Sequence, residues 1–248
     1  MDRRSDRTRP PRLPAGRAGR VRVKICGITS PDAARAAAEA GADAIGLVFA
    51  ESPRRISVAE AACIVEALPP WVAPVGVFVD AAAAEVRRIA ADIGLAAVQL
   101  HGDEPPRDLA RLRRGYGDLA ELGRLKVIKV FAVASERDLE TARAWRTDAE
   151  AGRPPDAWLL DAGVPGGPKG GTGRTADWTL AARMADEGFW PLILAGGLGP
   201  ENVAEAIRAV QPWAVDGSSA LESSPGQKSP EKIRDFISAV RCAESCPL

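Results

Sequence analysis

Val21-Arg22-Val23-Lys24-Ile25-Cys26-Gly27-Ile28-Thr29 is a short β-branched run that ends in a thiol, a glycine and a turn. Val21, Val23 and Ile25 favour a pleated, buried strand, Gly27 permits a sharp exit, and Ser30-Pro31-Asp32 predicts a helix start with proline in its first turn. The rest of the chain repeats this unit. Helix 31–40 stops at Gly41 and leads to strand 44–49; helix 58–68 leads to strand 73–79, with Asp80 at its end; helix 82–92 leads to strand 97–101. Helix 106–114 then precedes strand 126–131, helix 136–146 precedes strand 157–161, and two further units carry strands 191–195 and 213–216 before a closing helix at 232–240.

Eight apolar strands, each followed by an amphipathic helix, predict an all-parallel sheet buried on both faces. Their number and the chain length of 248 residues fit an α/β fold, a single-domain (β/α)8 TIM barrel over residues 21–241. Residues 1–20 are expected to be a disordered Arg/Pro-rich tail, and residues 242–248 a frayed C-terminus. A doubly wound open sheet is the alternative. It is disfavoured because no Gly-x-Gly-x-x-Gly follows the first strand and no edge strand is polar.

Composition narrows the function classes. The formal net charge of zero hides seven arginines against Asp2 and Asp6 in residues 1–20, which leaves a body of 26 basic and 31 acidic residues. A mildly acidic body gives no footprint for nucleic acid. Cys26, Cys63, Cys242 and Cys246 have no paired or metal-type spacing, there is a single histidine, and no signal peptide or long apolar run occurs. A cytoplasmic enzyme without membrane, nucleic-acid or metal partners is the expectation. Cys63 reads as a core residue of its helix.

In a barrel of this kind the loops after the strands carry chemistry. Cys26, Asp80, Gln99, His101, Asp161 and Asp216 all stand at strand exits and are expected to converge on one mouth. Asp161 ends an otherwise apolar strand, so its carboxyl needs partners or a raised pKa. Either a ligand contact or a hydrogen-bonded structural role suits His101. Arg54 and Arg55 follow the second strand, where they would meet an anionic group or simply be solvated. Ala195-Gly196-Gly197-Leu198 and Asp216-Gly217-Ser218-Ser219 follow the seventh and eighth strands, the usual phosphate site of such barrels, with backbone N–H groups of Gly196, Gly197, Gly217, Ser218 and Ser219 as donors. The glycine-rich segment 162–175, with Gly171 and Gly173, follows the sixth strand and belongs to the same mouth.

Val-Lys-Ile-Cys-Gly-Ile-Thr at 23–29, Ser-Pro-Arg-Arg-Ile-Ser at 52–57, Val-Gly-Val-Phe-Val at 75–79, Val-Gln-Leu-His-Gly at 98–102, Leu-Leu-Asp at 159–161, Gly-Gly-Thr-Gly-Arg-Thr at 170–175, Ala-Gly-Gly-Leu at 195–198 and Ser-Ser at 218–219 together resemble the phosphoribosylanthranilate isomerase family. The resemblance runs from about residue 21 to 236. It implies a (β/α)8 barrel that catalyses an Amadori rearrangement of phosphoribosyl anthranilate in tryptophan biosynthesis without cofactor or metal, as a monomer or homodimer. By the same resemblance Cys26 is the general base, Asp161 the general acid, and Arg55 the partner of the anthranilate carboxylate; Gln99 and His101 are assigned to the substrate, and Gly171 and Gly173 join the phosphate set. Where the family usually continues Ser-Ser-Gly-Val-Glu, this chain has Ala220, which disfavours a left-handed backbone there.

The chemistry itself asks for such residues. An acid must protonate the ring oxygen to give a Schiff base, and a base must take the C2′ proton to give an enolamine that becomes the ketone. Proximity to Lys24 is expected to ease ionisation of Cys26. A metal-dependent pentose-phosphate epimerase would need more histidines, an indole-glycerol-phosphate synthase would need lysine and glutamate at these exits, and a non-catalytic sugar-phosphate sensor would not need Cys26 and Asp161 together.

Overall fold

The computed structural model describes residues 20–113, 125–133, 135–148, 153–161 and 178–245. Strands β1 (Arg22–Cys26), β2 (Ala44–Val48), β3 (Ala73–Phe78), β4 (Ala97–Leu100), β5 (Lys126–Ala132), β6 (Ala157–Asp161), β7 (Leu192–Leu194) and β8 (Ala214–Gly217) form a closed barrel in sequence order. Every neighbouring pair is parallel, and β8 closes on β1 with Lys24 opposite Asp216. The helices between them are α1 (Pro31–Ala40), α2 (Val58–Glu66), α3 (Ala83–Ile93), α4 (Pro106–Arg113), α5 (Glu136–Thr147), α6 (Trp178–Asp186) and α7 (Val203–Val210), with α8 (Pro230–Ser245) at the end. Among the described residues no helix is long and apolar enough to cross a membrane.

Local chemistry explains the helix starts. Ser30 accepts from the Ala33 N–H at 3.2 Å with Pro31 behind it, and Ser57 and Glu60 form a reciprocal capping box on α2. Alternation along the strands then makes two cores. Outward residues such as Ile25, Ile45, Leu47, Val98 and Leu160 pack against the helices, and inward ones such as Val75, Ala97, Ile128, Leu159, Ile193 and Ala214 fill the barrel. Cys26, Val48 and Val77 form a small cluster at the end of the inward set.

Several boundaries differ from the sequence reading. Strand β3 ends at Phe78 and β4 at Leu100, so Val79 and His101 lie on loops. Strand β7 is confined to Leu192–Leu194. After β8 comes a single 3₁₀ turn, Ser219–Leu221, and then an antiparallel hairpin, β9 (Glu222–Ser224) with β10 (Gln227–Lys228), which periodicity does not reveal. Helix α8 runs through Ser245, so residues 242–245, read as frayed, are helical; Arg241 donates to the Val21 carbonyl at 2.8 Å and Glu244 accepts from the Val21 N–H. Arg20, counted with the tail, reaches Asp43 at 3.1 Å. Cys63 is exposed rather than core, because α2 buries Ala61 and Ile64 and turns Cys63 outward.

Candidate active site

Cys26 is the last residue of β1 and points inward at the C-terminal end of the barrel, 8% exposed. Its register partner on β2 is Gly46, which leaves room for the sulphur. Gly27 takes a left-handed φ of 80°, and any side chain there would run into the Arg54 side chain packed over it. The turn is pinned to the segment that follows the neighbouring strand β8, since Ser218 donates its hydroxyl to the Cys26 carbonyl at 3.2 Å and Thr29 donates to the Gly226 carbonyl at 2.8 Å. Below the thiol on the same inward face of β1 stands Lys24, whose Nζ is 2.9 Å from Asp216 Oδ2 on β8.

Asp161 ends β6 one alternation above Leu159, so its carboxyl also faces inward. His101 Nε2 lies 3.5 Å from Asp161 Oδ2, and Gln99 Nε2 lies 3.1 Å from His101 Nδ1. The Gln99 amide holds Nδ1 of the imidazole and so aims Nε2 at the carboxylate. Gln99, 1% exposed, orients His101 from beneath. The loop carrying His101 is clamped by Glu104, which accepts from the Asp80 and Gly102 N–H groups at 3.0 Å and pairs with buried Lys129 at 2.7 Å. Asp80, at the exit of β3, accepts from the Asp103 N–H at 2.6 Å.

The two arginines after β2 part company. Arg54 is bidentate to Glu222 of β9, Nε–Oε1 2.6 Å and Nη2–Oε2 2.9 Å, and Lys228 of β10 shares that carboxylate at 2.6 Å while donating to the Ser218 carbonyl at 3.1 Å. Arg55 is exposed on the same loop. Gly196 and Gly197, with φ of 88° and 64°, follow β7, and Asn202 fixes their turn by donating to the Gly197 carbonyl and accepting from the Gly199 N–H, both at 2.9 Å. Gly217 ends β8 and Ser218 and Ser219 follow it, with Ala220 inside the right-handed 3₁₀ turn, so a left-handed glycine is not required there. Gly171 and Gly173 lie outside the described residues. Glu104, Asn202, Glu222 and Lys228 have no site role in the sequence reading, whereas Lys24 does, as a cation in an apolar strand beside Cys26.

Burial pushes the Cys26 thiol above its ordinary value, with Lys24 pulling the other way, so the expected easing by Lys24 is outweighed. Burial pushes the Asp216 carboxyl up as well, against the pull of Lys24. Lys24 itself is drawn down by burial, but Asp216 and then Cys26 more than offset this and hold the ammonium above its usual value. A thiol and a carboxyl on facing walls, served by buried counter-charges, make a pair able to take a proton at one atom and give one at another.

The family model for N-(5′-phosphoribosyl)anthranilate isomerase matches residues 23–239. The N-(5′-phosphoribosyl)anthranilate isomerase of Geobacter metallireducens is 46% identical over 218 residues, spanning 88% of this chain and 97% of that protein. A crystal structure of phosphoribosyl anthranilate isomerase from Thermotoga maritima superposes with a TM-score of 0.77 at 41% identity, over 90% of this chain and 99% of that one. Another, in complex with reduced 1-(o-carboxyphenylamino)-1-deoxyribulose 5-phosphate, gives a TM-score of 0.74 at 39% identity with the same coverage.

Proposed function

The chain belongs to the N-(5′-phosphoribosyl)anthranilate isomerase family and is an aldose–ketose isomerase of tryptophan biosynthesis, and we propose that it works through Cys26 as general base and Asp161 as general acid. The observation that carries this division is that both side chains end inward-facing strands at the same end of the barrel, Cys26 on β1 and Asp161 on β6.

Asp161, in its protonated form, gives its proton to the furanose ring oxygen as the C1′–O bond breaks, and the anthranilate nitrogen supplies the electron pair of the Schiff base. The Cys26 thiolate then removes the C2′ proton, and the electrons of that C–H bond neutralise the iminium as an enolamine, which tautomerises to the ketone. His101 Nε2–H beside Asp161 Oδ2 steadies the carboxylate left after the first step. Arg55 meets the anthranilate carboxylate; Arg54 cannot, being spent on Glu222. The phosphate sits between the turns at Gly196–Gly197 and Gly217–Ser219, whose backbone N–H groups bind it equally in ground and transition states. The small-molecule substrate is the sole partner this reading needs, and the barrel with its closing helix α8 carries the whole activity.

Turnover of phosphoribosyl anthranilate, followed as loss of anthranilate-type fluorescence, tests the assignment. Activity that survives removal of both the Cys26 thiol and the Asp161 carboxyl in a folded barrel contradicts it.

A further inference from the structure

Resting on Cys26 as the base, we propose that Lys24 and Asp216 are a positioning pair that sets the ionisation of the thiol, Lys24 as counter-cation to the thiolate and Asp216 as the group that limits how strongly Lys24 favours it. The pair is built into the barrel register. Lys24 lies two residues before Cys26 on one face of β1, and Asp216 is its direct partner on β8. The two side chains are 4% and 6% exposed with Nζ 2.9 Å from Oδ2.

A buried ion pair contributes little stability over apolar residues of the same size, so its place immediately beneath a reactive thiol calls for another account. Asp216 Oδ1 has no hydrogen-bond partner among the described residues, which leaves a buried carboxylate oxygen uncompensated on the side away from Lys24. The charges facing the thiol supply the rest. Lys24 on β1, Asp216 on β8 and Lys228 on β10 act on Cys26 directly, Asp161 and His101 act on Asp216, and Glu222 holds Lys228 against the repulsion of Arg54. On Cys26 itself two cations, Lys24 and Lys228, act against one anion, Asp216, and a thiolate there balances them. When the thiolate forms, its proton goes to solvent, and the thiolate takes up the C2′ proton during turnover.

Opposite-signed shifts test this. In a background where Cys63, Cys242 and Cys246 are serine, the pH dependence of Cys26 alkylation by iodoacetamide and the ascending limb of kcat/KM are measured side by side. Asp216→Asn removes the opposing carboxylate and should move both curves to lower pH by about one unit or more; Lys24→Met should move both upward by a similar amount, and Lys24→Arg should recover most of that shift. Curves that stay put in Asp216→Asn, or that move the same way in Asp216→Asn and Lys24→Met with far-UV circular dichroism intact, overturn the proposal. If Lys24→Met does not fold, the Asp216→Asn curve decides it. Alkylation reads the thiol rather than turnover, so a Cys26 that proved not to be the base would show itself in Cys26→Ala activity and leave this result readable.

Discussion

Gly46 stands across β1 and β2 from Cys26, and a methyl group added to it would lie 2.6 Å from Cys26 Sγ. Real carbon–sulphur contacts are not so short, so the sulphur or the strand must move. Gly46→Ala should therefore leave a folded barrel with the thiol displaced. A shift near 1 Å from the reacting carbon can cost about 10²-fold, which is the loss in kcat expected here with KM little changed. Steady-state kinetics on the purified variant would read it, and wild-type kcat would show that the sulphur has slack.

The turn after β7 depends on a left-handed backbone at Gly197, φ 64°. A β-branched side chain strains that conformation wherever it points. Gly197→Val should raise KM by about tenfold or more, equivalent to ~1.4 kcal/mol of lost binding, with a smaller effect on kcat. Inorganic phosphate should compete weakly with substrate in the wild type and lose that competition in the variant. An unchanged KM together with unchanged phosphate inhibition would place the anion elsewhere.

Adjacent arginines should give opposite phenotypes. Arg54→Ala strips Glu222 of its bidentate partner and leaves Lys228 alone with it, so a stability loss of about 1–3 kcal/mol is expected in urea titration. Arg55→Ala, at an exposed position, should leave the urea midpoint alone and raise KM. Equal stability losses in both would undo the distinction.

The same network predicts a pH dependence. Burial works to raise the Glu222 carboxyl, but its bonds from Arg54 and Lys228 win and hold it below the usual range. A depressed carboxyl stabilises the fold above its unfolded value of about 4.3, and that contribution is lost as pH falls through the lower folded value. The gap in urea midpoint between wild type and Glu222→Gln should therefore be full at neutral pH and close on acidification below about pH 4. A gap that widens on acidification would mean that Glu222 acts through shape rather than charge.

What the sequence discloses here is what short-range physics sets. Strand 22–26, the Ser30 cap and the Ser57–Glu60 box are local signals, and the order of eight strands followed from them. The β9–β10 hairpin escaped because its residues are polar and few, and what holds them is a bond from Arg54, 168 residues away in the chain. Cys63 was misplaced because α2 is apolar on most of its circumference, so period alone does not choose its buried side. Cys26 and Asp161 were legible as strand ends. That Asp216 serves Lys24, and Gln99 serves His101, required knowing which inward positions share a layer.

The division of labour between Cys26 and Asp161 gives the sharpest test. Cys26→Ala should abolish removal of the C2′ proton while binding falls little, because the phosphate turns and Arg55 are untouched. Cys26→Ser should be nearly as damaging. A hydroxyl fits beside Gly46 but ionises far less readily than a thiol, whereas a cysteine present for packing alone would tolerate serine at modest stability cost. Asp161→Asn fails for a different reason, since it keeps the shape beside His101 but has no proton to give the ring oxygen. Each variant should lose at least about 10² in kcat, the lower end of what acid or base assistance supplies. A substrate with its ring already opened, supplied as the Schiff base, would separate the roles: it should bypass the defect of Asp161→Asn and leave that of Cys26→Ala in place. Rescue of both by the opened substrate, with the fold intact, would mean that Cys26 serves ring opening and that C2′ loses its proton to another group.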